Sequence, residues 1–352
     1  MRIAVVAPSL DIVGGQSIQA HALCEGLREA GYEVDFVPVN PRFPRGLGWV
    51  RRWPYARTVL NQSLYIPRLH RLRDADVVHV FSASYWSFLI AVAPALLAAR
   101  RFGKRILLNY HSGEAEDHLD RWGALVHPWL ALADEIVVPS EYLRAVFARH
   151  GYPARAVPNL VDTNRFRYRD RMPPHARFLS ARNLEPYYRV DITLEAFAMV
   201  RDRFPSATLT ITGDGHERGR LMRRAAELGE QGIRFVGRVN PADMPAHYAA
   251  ADVLVNSSVV DNQPLSVLEA FAAGLPVVST ATGDIAALVR DGETGLVVPA
   301  NDPAATAKAL IVMLEYPVRA LRMARQARSE VEAFTWERLR EQWAAAYAGV
   351  PA

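Results

Sequence analysis

One stretch of the chain sets two carboxylates, a proline and a run of small residues in an order that suits an anionic, hydroxyl-rich ligand. It reads Asn256-Ser257-Ser258-Val259-Val260-Asp261-Asn262-Gln263-Pro264-Leu265-Ser266-Val267-Leu268-Glu269 and continues Ala270-Phe271-Ala272-Ala273-Gly274-Leu275-Pro276. The apolar run before it reads as a buried strand, and Pro264 fits the first turn of a following helix. The N–H groups of Leu265 and Ser266 then stand at the helix start, where unpaired amides and the helix dipole stabilise a diphosphate. Asp261 and Glu269 have seven residues between them, one acid in the loop and the other two turns below the helix start. A carboxylate can accept two hydroxyls at once, which is what a sugar or a ribose offers. Either acid alone reads as a cap or a solvated side chain; the pair on one strand-loop-helix reads as a nucleotide-sugar site.

A second candidate lies near the start of the chain. Ser9-Leu10-Asp11-Ile12-Val13-Gly14-Gly15-Gln16-Ser17 follows the first apolar run and precedes an amphipathic helix reaching about Glu29. Paired glycines there let a backbone N–H approach a phosphate or a sugar, although a tight turn would use the same pair. The dinucleotide spacing Gly-x-Gly-x-x-Gly is absent, which argues against an NAD enzyme.

These loops need a scaffold, and the chain supplies one twice. Short Val/Ile-rich runs alternate with helical patterns at 2–8, 33–39, 75–82, 105–111, 135–140 and 154–159, then at 176–182, 207–213, 233–239, 251–258, 275–280 and 294–300. Near-continuous apolar strands separated by helices predict α/β architecture, with parallel sheets covered on both faces. Two sets of six predict two Rossmann-like doubly wound domains, each binding ligands at the carboxyl ends of its strands. A polar stretch ending in Pro173-Pro174 marks the break near 160–175, and a last helix over about 334–348 has no strand after it.

A length of 352 residues fits two domains rather than one core. No window of about twenty apolar residues predicts a membrane span. The first strand leaves no room for a secretory leader. The lone Cys24 rules out a disulfide framework and a cysteine metal site. Together these features predict a cytoplasmic protein. The net charge of +4 is uneven: residues 1–165 carry 19 Lys/Arg against 15 Asp/Glu, and the remainder 22 of each. Residues 42–73 hold eight arginines and no acid, interleaved with Trp49, Trp53, Tyr55 and Tyr65. That mixture suits peripheral contact with the anionic inner face of a membrane. A solvated arginine-rich helical face reads equally well; nucleic acid, similar by charge alone, is not the expected partner.

The 256–278 stretch resembles the signature of retaining glycosyltransferase family 4, which has the GT-B fold of two such domains facing a cleft. In that family two acids with seven residues between them precede a small-residue helix and a Gly-x-Pro-Val-Val strand; this chain has Gly274-Leu275-Pro276-Val277-Val278. The similarity continues at Gly14-Gly15, Pro158-Asn159-Leu160-Val161-Asp162, Arg165-Phe166, Gly213-Asp214-Gly215, Phe235-Val236-Gly237-Arg238-Val239, Gly292-Glu293-Thr294-Gly295-Leu296-Val297 and Trp336.

The resemblance implies an acceptor-side domain over 1–162, with a helix at 335–352 packing back on it, and a nucleotide-sugar domain over 163–334. It also implies residue roles. Glu269 would contact the ribose hydroxyls, Asp261 the donor sugar, Arg182 the departing diphosphate, and His111, at the end of the fourth strand, the sugar at the reaction centre. Gly15, Gly213, Arg238, Val239, Asn262, Pro264, Leu265 and Ser266 would complete the donor site. Transfer would retain configuration without a metal ion, the donor being a substrate and no cofactor being required. A UDP- or GDP-linked sugar would pass to a glycan or lipid-linked acceptor in surface polysaccharide or glycolipid synthesis.

Two departures from the pattern stand out. The first acid, usually Glu, is Asp261. The phosphate site, usually Arg followed by Lys, reads Arg182-Asn183-Leu184-Glu185-Pro186-Tyr187-Tyr188-Arg189 with no Lys. Either Arg189 supplies the second cation or Tyr188 takes its place. A catalytically weak nucleotide-sugar-binding protein is the alternative this raises; a sugar epimerase or phosphorylase on the same fold is a more distant one.

Overall fold

The computed structural model describes residues 1–11, 14–229 and 231–350; Ile12 and Val13 of the first loop lie outside the described residues. The chain divides into one compact unit of 1–160 with 339–352 and a second of 161–338.

The first unit carries a parallel sheet of β1 (Arg2–Ala7), β2 (Glu33–Pro38), β3 (Val77–Ser82), β4 (Arg105–Tyr110), β5 (Glu135–Val138) and β6 (Arg155–Ala156), in the order β2-β1-β3-β4-β5-β6. Every residue of β3 is buried, which is why its sequence VVHVFS shows no alternation. The helices cover this sheet with Leu69, Leu72, Phe88, Leu96, Leu119, Val126, Leu143 and Phe147. The closing helix, Trp336–Ala348, contributes Trp343 and Tyr347 to the same unit, where the Tyr347 hydroxyl lies 2.7 Å from His79 Nδ1 in mid-β3. Burial pushes the His79 imidazole down to about 3, so the ring is neutral and acts as core.

The second unit carries β7 (Arg177–Ala181), β8 (Thr208–Thr212), β9 (Ile233–Gly237), β10 (Val253–Asn256), β11 (Val277–Thr280) and β12 (Leu296–Val298). Their order is β12-β11-β10-β7-β8-β9, all pairs being parallel. One face packs Phe178, Phe197, Leu209 and Met313; the other packs Leu179, Leu254, Phe271 and Ile285.

All twelve expected strands form, each within its expected window and most one to three residues shorter; the sixth shrinks to Arg155–Ala156. In each sheet the chain reverses its direction of travel once, between β1 and β3 and between β7 and β10. Ligands bind in such sheets beyond the carboxyl ends of the strands at that reversal. The loops after β7 and β10 are those that contain Arg182 and Asp261.

Candidate active site

The helix Leu265–Ala273 begins one residue later than expected, with Pro264 as its extended N-cap (φ −71°, ψ 125°) rather than inside the first turn. Proline has no N–H, and Leu265 and Ser266 have no acceptor one turn back within the helix. The loop that leads into it is held from both sides. On the β7 side, Val259 N–H donates to the Tyr187 carbonyl at 2.8 Å and Ser257 Oγ to the Arg189 carbonyl at 2.6 Å. On the β11 side, Thr280 Oγ1 donates to the Ser258 carbonyl at 2.6 Å and Asp284 N–H to the Asn262 carbonyl at 3.1 Å. Gly283 (φ +58°) lies so close that an added Cβ would stand 2.1 Å from the Asp261 carbonyl oxygen. The loop is a built seat.

Arg182, one residue past β7, is brought to that seat. Its guanidinium pairs with Asp261, reaches Ser266 Oγ at 3.4 Å and lies over the Tyr188 ring at 3.9 Å from the centroid. Cation and carboxylate are both about nine-tenths covered, at 9% and 10% side-chain exposure. Burial pushes the Asp261 carboxyl up while the Arg182 charge and the Asn262 N–H, at 2.9 Å, pull against it. One polar atom is left over: Arg182 Nε is buried without a hydrogen-bond partner. A buried donor costs about 1–3 kcal/mol when unsatisfied, and beside two bare helix amides it points to an anion as the missing partner.

Glu269 stands on the same helix. Burial pushes its carboxyl up to about 7, against the pull of the Tyr248 hydroxyl and the Arg165 charge. The sequence reading missed Tyr248, a fully buried side chain in the helix Met244–Ala250 whose hydroxyl also lies 3.3 Å from the Ser266 carbonyl. Nothing local could have signalled it, because it precedes Glu269 by twenty-one residues and arrives on a separate element.

The glycine turn after β8 is fitted against this cluster. Gly213 has φ +109°, and a Cβ there would stand 2.2 Å from the Arg182 carbonyl oxygen. Only glycine allows both the dihedral and the approach. Arg238 and Val239 follow β9, the first exposed and the second half-buried.

Arg189 is placed differently. Its backbone is left-handed (φ +47°), and its guanidinium bonds to Asp191 at 3.1 Å and to Asn301, while Tyr188 takes the face of Arg182.

In the first unit, Gly14 caps the helix Gly15–Glu29, and a Cβ at Gly14 or Gly15 would meet nothing within 4 Å. The glycines are not demanded by the protein's own packing. Gln16 Nε2 donates to the Ser82 carbonyl, tying this helix start to the end of β3. His111 follows β4, stacked on Phe81 with centroids 5.1 Å apart. Its Nε2 is buried without a partner, and burial pushes the imidazole down to about 3, so it is neutral. The chain also contains one Asp-x-Asp, Asp74-Ala75-Asp76. It sits at the amino end of β3, where Asp76 accepts the Arg2 N–H at 2.7 Å, on the opposite edge of the sheet from these loops.

Two family profiles match. Residues 13–165 match the one described as Glycosyltransferase Family 4, and residues 175–316 match the one described as Glycosyl transferases group 1. A GDP-mannose-dependent alpha-(1-6)-phosphatidylinositol monomannoside mannosyltransferase of Mycolicibacterium smegmatis is 33% identical over 264 residues, 66% of this chain and 68% of that protein. The chain belongs to glycosyltransferase family 4. It is a nucleotide-sugar glycosyltransferase with the GT-B fold. A phosphatidyl-myo-inositol mannosyltransferase of Mycobacterium leprae is 27% identical over 96% of this chain and 93% of its own. The fold is shared with sucrose-phosphate synthase of Thermosynechococcus elongatus, at a TM-score of 0.78 and 22% identity over 99% of this chain and 98% of that one.

Proposed function

We propose that this glycosyltransferase moves a hexose with retention from a GDP- or UDP-linked donor to a lipid-linked acceptor at a membrane surface. The observation that carries the donor half is the Arg182 guanidinium, packed on Tyr188, paired with Asp261 and left with an unpartnered Nε beside the bare amides of Leu265 and Ser266. Cleaving the anomeric C–O bond leaves a negative diphosphate and an oxocarbenium-like sugar. Donors already fixed where that charge develops lower the barrier, each by about 3 kcal/mol. Arg182 and the helix amides are such donors. Glu269 accepts the ribose hydroxyls, Asp261 and neutral His111 hold the sugar, and the leaving phosphate takes the acceptor's proton. Tyr188, not a second cation, completes the Arg182 face.

The lipid-linked acceptor rests on three supports. Both mycobacterial relatives carry phosphatidylinositol acceptors in their names. A cavity of about 430 Å³ beyond β1 and β2 is lined by Arg42, Arg68, Arg71 and Asp11; Arg42 pairs with Asp11 and Arg71 with Asp35, and the buried, unpartnered Arg68 Nη1 is the donor that suits a phosphate. On the segment 48–65, Trp49, Trp53, Tyr55 and Val59 are 61–89% exposed alongside exposed Arg52 and Arg57. No helix of the described residues is long and apolar enough to cross a membrane; it is the exposed aromatic and arginine side chains that support peripheral contact. A ligand-observed NMR screen of nucleotide-sugars tests the donor half: GDP-mannose or UDP-hexose binding supports it, and no binding by any member overturns it.

A further inference from the structure

The ends of β3 and β4 carry a group of aromatic and acidic side chains for which neither the fold nor the donor chemistry accounts. Three residues after β3, Tyr85 adopts a left-handed backbone at φ +55°, a conformation non-glycine residues avoid and that clusters at functional sites. The chain then runs through a π-helical turn, Phe88–Val92, another form favoured at such sites. The result is that Trp86 stands on the surface, 65% exposed, edge-on to Trp122 at 5.2 Å and 88°.

The support beneath is elaborate. Ser84 Oγ, the Tyr110 hydroxyl and His118 Nδ1 form a buried chain at 2.9 and 2.7 Å, and the Tyr85 ring packs over His118 at 5.1 Å. The Tyr85 hydroxyl donates to Asp117 at 2.5 Å. His118 is fully buried, and its Nε2 has no partner. Beside this stands Glu114, half-buried and without a side-chain partner among the described residues, close enough to Asp117 for the two charges to interact.

An exposed indole with an unpaired carboxylate, Glu114, on the neighbouring loop is chemistry for a carbohydrate; Asp117 is already held by the Tyr85 hydroxyl and by Arg121. The apolar C–H face of a pyranose packs on the ring, and its equatorial hydroxyls donate to carboxylates. The acids disfavour an anion here: Glu114, Glu116, Asp117 and Asp120 lie within seven residues, against Arg121 and Arg149. We propose that Trp86, backed by Trp122 and with Glu114 close to the adjoining Tyr85, is the subsite for a neutral hexopyranose ring carried by the acceptor. This rests on the reading of the chain as a transferase to a lipid-linked acceptor. It assigns the sugar of that acceptor to the β3–β4 edge and leaves the phosphate to the arginine-lined cavity beyond β1 and β2. Two strand spacings separate β1 from β4, about 10 Å, the span of one sugar and its phosphate.

The test is saturation-transfer NMR on the full chain with methyl α-D-mannopyranoside and methyl α-D-glucopyranoside, and with glycerol 3-phosphate as an anion probe. Calorimetry with GDP and UDP reads the donor site separately. The subsite predicts glycoside binding that weakens at least fivefold in Trp86→Ala, stays within twofold in Trp86→Phe and weakens at least threefold in Glu114→Gln, with glycerol 3-phosphate and nucleotide affinity unchanged. Glycoside binding equal in wild type, Trp86→Ala and Glu114→Gln overturns the subsite, as does a wild type that binds nucleotide but neither glycoside. Loss of nucleotide binding in wild type strikes at the transferase reading instead.

Discussion

Glu269 is expected to make the protein less stable in exchange for holding the nucleotide, and the trade can be measured. Burial moves its carboxyl from an ordinary 4.5 up to about 7. Below pH 4.5 the group is protonated whether the chain is folded or not, so the neutral form's full contribution to stability is present. As pH rises through 7, the folded protein must ionise a buried carboxyl that the unfolded chain ionised at no cost, and that contribution is lost. A shift of this size corresponds to on the order of 3 kcal/mol. Glu269→Gln keeps the volume and an acceptor for the Tyr248 hydroxyl while removing the titration. Urea unfolding at intervals from pH 4.5 to 8.5, wild type against variant, reads the difference; the two units need not unfold together, so the transition sensitive to the substitution is the one compared. The two proteins should match near pH 4.5, and the variant should be more stable by a few kcal/mol at pH 8. The same variant should lose transfer activity at least tenfold, about 1.4 kcal/mol, because a neutral amide accepts ribose hydroxyls less strongly. Parallel stability curves, or full activity in Glu269→Gln, would refute the reasoning.

Other outcomes follow from the same geometry. Arg182→Ala leaves Asp261 buried without its cation and should destabilise the second unit by about 3–5 kcal/mol in thermal or urea unfolding; Asp261→Asn added to it should recover part of that loss. Gly213→Ala places a methyl 2.2 Å from the Arg182 carbonyl oxygen, so nucleotide affinity should fall even though no ligand-facing side chain changes, as calorimetry can show. Tyr347→Phe deprives the buried His79 of its partner and should cost about 1–2 kcal/mol of stability with nucleotide affinity intact. Trp49→Ala with Trp53→Ala should reduce flotation with anionic vesicles and spare binding to soluble donors; flotation equal to wild type would remove the membrane face from the account.

The sequence made the twelve strands legible because buried parallel strands are written as uninterrupted Val/Ile runs. It pointed to the loops after β7 and β10 because sheet topology places ligands at strand ends, and the structure brings Arg182, Asp261 and Ser266 together there. What it left unsettled were matters of side-chain direction. Arg189 and Tyr188 are neighbours in sequence, and only the left-handed backbone at Arg189 (φ +47°) sends one to Asp191 and Asn301 and the other onto Arg182. Gly283 passed unremarked among other loop glycines, since its close approach to the Asp261 carbonyl exists only once β10 and β11 are paired. Tyr248 and the Ser84–Tyr110–His118 chain were hidden for the same reason: their partners are distant in sequence or on another element.

The central claim is that the loops after β7 and β10 seat a nucleotide-linked sugar through Arg182. Calorimetric titration of GDP-mannose and UDP-glucose into the wild type and into Arg182→Gln, each checked for folding by circular dichroism, tests it most directly. The account predicts binding of at least one donor by the wild type and at least tenfold weaker binding by the folded variant. Equal affinity in the two proteins would contradict it.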